Sequence, residues 1–199
     1  MKRWICAGLL GMCVMLAAPA AATASTIFIN FESFTESSAP TAPGVTFTNA
    51  VVLTSGAFGG SLNEFAFPPL SGVNVAFDDG GPMILEFSTP VVSFSGFFTY
   101  VTSLTVRAFN GALLVDTTPS ASTDNTGPGG TPNELLSVSD AGGITRIEIL
   151  GSPFGGSFVV DDITLEIADV VAPEPATLWL LGLGAAAVAR RRFRSQSVA

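Results

Sequence analysis

The chain predicts an all-β fold, an antiparallel β-sandwich of jelly-roll-like character, set between two terminal segments of a different kind. Three observations lead there. Short β-prone runs recur at roughly ten-residue spacing, Gly, Pro, Asn and Ser punctuate them, and no part of residues 25–172 carries a helical apolar stripe.

The runs are TIFINFE (Thr26–Glu32), GVTFT (Gly44–Thr48), AVVLTS (Ala50–Ser55), VNVAF (Val73–Phe77) and MILEF (Met83–Phe87). VVSFSGFFTY (Val91–Tyr100), SLTVRAF (Ser103–Phe109), ALLVDT (Ala112–Thr117), ITRIEIL (Ile144–Leu150) and SFVVDDITLEI (Ser157–Ile167) complete the series. Leu104, Val106 and Ala108 alternate with Thr105 and Arg107, the period of a half-buried strand. FNGA (Phe109–Ala112) reads as an Asn-Gly hairpin and DDGGP (Asp78–Pro82) as a second tight reversal. STDNTGPGGTPNE (Ser122–Glu134) is too polar and too rich in Gly and Pro for a strand and reads as a mobile loop.

Residues 1–24 have the layout of a Sec-type signal peptide. Lys2 and Arg3 precede an apolar run from Trp4 to Ala18, and Ala22-Thr23-Ala24 is a small-residue cleavage site. Cleavage between Ala24 and Ser25 is expected, so the partners begin with the Sec translocon. Both cysteines, Cys6 and Cys13, lie in this segment. The domain of residues 25–172 must therefore be held by its core without disulfides, which its length allows.

Charge separates by segment. The domain keeps only Arg107 and Arg146 against fifteen carboxylates, a formal balance of −13. So negative a surface repels phosphate backbones and excludes nucleic acid as a partner. There is no histidine, and the one lysine is Lys2. Without His, Cys or Lys the domain has no Ser-His-Asp triad, no cysteine nucleophile and no Schiff base. Carboxylate chemistry is what remains, either a glycosidase pair or oxygen-ligated calcium. Both tryptophans lie in the terminal segments and Tyr100 is the one tyrosine, so the domain lacks the Trp and Tyr platforms that glycosidases and most sugar-binding modules present to sugar rings. The expectation is a protein that is not an enzyme.

One run carries chemical tension. In FVVDDITLEI (Phe158–Ile167), the face of Ile163, Leu165 and Ile167 extends back through Asp161 and Val159, while Phe158 and Val160 point the other way. Either Asp161 enters the core or the strand slips register at a bulge. A buried carboxylate would need Arg107, Arg146, backbone donors or a cation. By analogy with jelly-roll sugar-binding modules, Glu32 could meet Asp161 or Asp162 at a structural calcium; the other reading is a bulge with both aspartates solvated. The DDG of Asp78–Gly80 reads as a turn.

Residues 173–199 form the second terminal segment. Pro173-Glu174-Pro175 holds the chain extended. Ala176–Ala189 is free of charge and, at roughly 21 Å as a helix, shorter than the ~30 Å hydrocarbon core. Arg190, Arg191, Arg192 and Arg194 then act as a cytoplasmic membrane stop. A signal peptide, Pro-Glu-Pro, a short transmembrane helix and an arginine cluster, in that order, resemble the PEP-CTERM proteins. That resemblance implies an exported protein of a Gram-negative bacterium that makes exopolysaccharide. It also implies an exosortase-type membrane protease as partner, with Pro173, Glu174 and Pro175 as the sorting and processing motif. The protein would pass through the inner membrane and end at the cell surface or in the exopolysaccharide or biofilm matrix. The alternatives are a carbohydrate-binding jelly roll with structural calcium and a carboxylate-based glycan hydrolase.

Overall fold

The computed structural model describes residues 25–167 and, beyond them, Gly182 alone. Ten strands follow in order: β1 (Ser25–Ile29), β2 (Thr41–Ala42), β3 (Val45–Thr48), β4 (Ala50–Thr54) and β5 (Asn74–Asp78), then β6 (Met83–Tyr100), β7 (Thr105–Asn110), β8 (Leu113–Pro119), β9 (Glu134–Leu150) and β10 (Phe158–Ile167). Every strand pair is antiparallel. Within residues 25–167 the one helical turn is the 3₁₀ turn Gly56–Phe58.

The ten strands hydrogen-bond into one continuous antiparallel sheet, and its two halves, the layers of the sandwich, share their longest strands. The first half of β6 pairs with β3 and with the second half of β9; β9 pairs onward to β7, and β7 to β8. The second half of β6 pairs with the first half of β9 and with β10, which is flanked in turn by β5 and β1. Between these halves the register breaks twice. Residues 87–90 stand opposite Thr145 alone, and residues 140–143 stand opposite Val92 alone. Here the paired strands pass from one layer to the other. Gly143 (φ +96°) occupies the corner, and a Cβ there would meet the Pro90 ring at 3.0 Å. A left-handed backbone at a close approach is where glycine is favoured.

Alternation explains the core. Val45, Leu85, Val106, Ile147 and Ile149 point inward from one layer and Phe94, Phe98, Leu136, Val138 and Leu165 from the other, in a single apolar cluster. Between them Thr46, Glu86, Arg107 and Arg146 face outward, as a period of two requires. Apolar burial of this extent drives the closure of the two layers.

The strands expected from the sequence are present, with three changes. MILEF and VVSFSGFFTY form one strand, β6, because Ser88-Thr89-Pro90 is a corner between layers and not a break. ITRIEIL likewise continues an unexpected run, Glu134–Asp140, whose Leu136 and Val138 are buried. The β7–β8 reversal turns on Gly111-Ala112, one residue beyond the expected Asn-Gly pair, since Asn110 is already paired with Leu113.

The Ser122–Glu134 loop is pinned and not loose. Asn125, 3% exposed, receives the Tyr100 N–H at 2.8 Å on Oδ1 and donates from Nδ2 to the Phe98 carbonyl at 3.0 Å. Its own N–H reaches the Tyr100 carbonyl. One asparagine thereby stands in for a neighbouring strand at the end of β6.

Candidate functional sites

The tension in FVVDDITLEI is resolved by a bulge. Asp161 pairs with Phe97 and Thr164 with Ser95, so two residues of β10 oppose Gly96. Asp162 carries the extra residue at φ 48°, a left-handed conformation that aspartate tolerates. The bulge reverses the parity of the strand. Phe158 and Val160 before it and Ile163 and Leu165 after it all reach the main core. Val159 and Asp161 face the opposite way and are still buried, because the segment Ser55–Val73 folds over that side. Beneath this cover Leu62, Val75 and Val159 form a small second core.

Carboxylates hold the cover down. Oδ2 of Asp161 accepts the N–H groups of Leu70 (2.8 Å) and Ser71 (3.0 Å), and its Oδ1 accepts the Asp162 N–H at 2.8 Å. Asp162 accepts the Ser71 hydroxyl at 2.8 Å. Oε1 of Glu32 accepts the N–H groups of Val73 (3.0 Å) and Asn74 (2.8 Å). Glu36 binds Thr54 and Ser61 at the other end of the segment. An irregular segment carries backbone donors that no ladder satisfies, and acidic side chains supply the missing acceptors. Burial pushes the Asp161 carboxyl up to about 6; the Asp162 charge adds to the rise, and hydrogen bonds from Ser71, Asp162 and Leu70 oppose it.

Glu32, Asp161 and Asp162, the expected calcium ligands, thus do gather around one segment, but both Asp161 oxygens, Glu32 Oε1 and Asp162 Oδ1 already accept hydrogen bonds from backbone amides or the Ser71 hydroxyl. Among the described residues no three acidic, histidine or cysteine side chains are grouped to hold a metal ion. The partner of buried Asp161 is the backbone, and neither Arg107 nor Arg146 takes part. Ser25 opens β1 and pairs with Ile167, the last residue of β10. Ala22, Ala24, Pro173, Glu174, Pro175 and Arg190–Arg194, together with the expected helix 176–189 apart from Gly182, lie outside the described residues.

A second buried carboxylate was not legible as more than a turn. Asp78 is fully buried; its Oδ1 accepts the N–H groups of Ser157 (2.8 Å) and Phe158 (3.0 Å), and its Oδ2 accepts the Ser157 hydroxyl at 2.9 Å. It caps the start of β10 as Asp161 anchors its middle. Burial raises the Asp78 carboxyl above the ordinary range, against hydrogen bonds from Phe158 and Ser157. A second aspartate beside two glycines was the one available signal.

Two surface grooves are candidates for a ligand. The first, of about 490 Å³, lies under the Ser122–Glu134 loop and is lined by Tyr100, Asp124, Asn125 and Glu134. Its polar groups already serve each other. The Tyr100 hydroxyl donates to Glu134, the other Glu134 oxygen accepts the Ala121 N–H at 2.9 Å, and Asp124 accepts from Thr126.

The second groove, of about 460 Å³, crosses the outer face of the first layer and includes Thr46, Glu86, Ser88, Thr145 and Arg146. Thr46, Glu86, Arg146 and Phe109 form one row in register across β3, β6, β9 and β7. The guanidinium of Arg146 lies 4.4 Å from the centre of the Phe109 ring and pairs with Glu148 at 3.1 Å. Arg107 stands opposite Glu148 in the next row, so both cations of the acidic domain share this face.

The terminal segment decides the family resemblance. Residues 171–194 match the family model of the PEP-CTERM protein-sorting motif. The chain carries a PEP-CTERM motif. No curated protein matches the sequence. Among solved structures, the K2 cleaved adhesin domain of Lys-gingipain is similar at 16% identity, covering 71% of this chain and 99% of that one with a TM-score of 0.48. A family 29 carbohydrate binding module is similar at 13% identity, covering 78% and 99% with a TM-score of 0.39. A mutant of the module CBM29-2 gives 14% identity over 73% and 93%, also at 0.39. At these scores none of them bears on what the PEP-CTERM chain binds. No helix among the described residues is long and apolar enough to cross a membrane.

Proposed function

We propose that this is a non-catalytic exported protein whose β-sandwich is delivered through its PEP-CTERM segment, processed by an exosortase-type membrane protease, to the cell surface or the exopolysaccharide matrix. The match at residues 171–194 carries the reading. The geometry of the domain is compatible with it. Pairing of Ser25 with Ile167 brings the start of the domain and its exit to one pole. Ala168–Ala172 then spans at most roughly 18 Å to Pro173, so that pole faces the membrane before processing. The absence of His, Cys and Lys from residues 25–172 supports a binding or structural role over catalysis.

The test is Glu174→Ala in the exporting cell. Full-length precursor should accumulate in the inner membrane, while the wild-type protein is recovered without Arg190–Arg194. Mass spectrometry that finds those arginines in the mature wild-type protein rejects the processing step.

A second reading, a carbohydrate-binding module, draws on the outer face of the first layer, where hydroxyl, carboxylate and guanidinium groups line one groove. Its structural-calcium element lacks support, because the carboxylates in question bind amides.

A further inference from the structure

We propose that the groove across β3, β6, β9 and β7 is a binding site for a neutral polysaccharide chain, with Glu86 and Arg146 as its principal contacts. The proposal rests on the carbohydrate-binding reading and gives it a location.

Free hydrogen-bonding capacity distinguishes this groove. The Nε of Arg146 is buried and has no partner. The side chains of Thr46, Glu86 and Ser88 make no hydrogen bond to other described residues, although they line the same groove. The buried Nε is closed to a ligand lying in the groove, so the capacity open to one is on the Thr46 and Ser88 hydroxyls, the Glu86 carboxylate and the Arg146 N–H groups that Glu148 does not take. In the groove below the Ser122–Glu134 loop, by contrast, Tyr100 and both Glu134 oxygens are already engaged, and one Asp124 oxygen accepts from Thr126.

The kind of ligand follows from charge and spacing. Along the register row an acceptor, Glu86, stands beside a donor, Arg146, with the Thr46 hydroxyl on the near side. A sugar ring offers hydroxyls that donate and accept at once, and this alternation satisfies both functions. The Phe109 ring lies 4.4 Å beneath the Arg146 guanidinium carbon and Glu148 pairs with it, so the donor is held in place before any ligand arrives. Four strands at about 4.8 Å spacing give a row of roughly 14 Å, the reach of a short oligosaccharide segment. A polyanion would approach a domain that holds only two cations against fifteen carboxylates, and the long-range field repels it. Neutral chains meet no such barrier.

Full-length protein in mild detergent should be retained on at least one immobilised neutral polysaccharide from a set of a β-glucan, a mannan and a xylan. Glu86→Gln and Arg146→Gln should each weaken that retention by about tenfold or more, the loss expected for a hydrogen bond to a charged group. Asp124→Asn, in the other groove, should leave it unchanged. Glu86 is exposed, and its isosteric replacement keeps the fold, as circular dichroism would verify. Retention that survives both groove substitutions overturns the location and leaves the carbohydrate-binding reading standing. Stronger retention on a polyuronate than on every neutral chain overturns the ligand class. No retention on any of these matrices overturns the site and the carbohydrate-binding reading together.

Discussion

The carboxylate of Asp161 accepts the backbone N–H of Leu70 at 2.8 Å, joining residues 91 positions apart in the chain. Through this contact the last strand holds the long segment that covers its outer side. Asp161→Ala would leave the N–H groups of Leu70, Ser71 and Asp162 without acceptors beside a small apolar cluster. A loss of about 3 kcal/mol is expected, with the melting temperature falling by roughly 10 °C. Limited proteolysis should then cut first within Ser55–Val73. Equal resistance of that segment in the variant and the wild type would contradict this role.

The pH dependence has a defined sign. Burial raises Asp161 to about 6, and Asp78 is raised as well. Their unfolded values lie near 3.9. The native state therefore binds protons more readily than the unfolded state between these limits, and stability falls as pH rises through the folded value. Lowering the pH from about 7.5 to 5 should raise the melting temperature, opposite to the usual loss of carboxylate contacts in acid. Asp161→Asn cannot titrate at this position and should flatten the rise. A wild-type melting temperature that drops steadily over this interval would count against the assignment.

Much of this architecture is legible in the sequence because strands announce themselves by alternation. SLTVRAF, ITRIEIL and FVVDDITLEI show period two, and the structure contains strands at each. The corner at Pro90 and Gly143 is less visible, since proline and glycine signal a break whether the chain reverses or merely changes layer. The bulge at Asp162 was one of two options in the sequence, and the structure takes it; Asp161 is nonetheless buried, on the side away from the main core. The partners of the carboxylates could not be read, because their acceptor role depends on which distant amides lack a ladder. Nothing local to Glu32 points to Val73 and Asn74.

Glycine is required at position 72 for two separate reasons. Its φ is +56°, and a Cβ would lie 2.1 Å from the carboxyl carbon of Glu32. Gly72→Ala must adopt the left-handed backbone and also displace the Glu32 side chain from the amides of Val73 and Asn74. The expected cost is on the order of 2–3 kcal/mol, measured by chemical denaturation. Gly80→Ala is the control, since φ there is +90° and nothing lies within 4 Å of the added carbon. It should show the backbone penalty alone. Equal losses for the two variants would mean that Glu32 contributes little.

Glu32, Asp161 and Asp162 also make a prediction about metal. A calcium ion bound to the native state alone would raise the melting temperature by mass action. Binding here would first have to take oxygens away from the N–H groups of Leu70, Ser71, Val73 and Asn74, which would then be unsatisfied. The ion would also need six to eight oxygen ligands, more than the acidic side chains around this segment leave free. Thermal unfolding of the full-length protein should therefore be the same in millimolar calcium and in excess chelator. A calcium-dependent increase of several degrees, abolished by Glu32→Gln, would instead mean that the cover segment rearranges to release its carboxylates. In that case proteolysis within Ser55–Val73 should change with calcium, which separates a rearranged segment from an ion bound elsewhere.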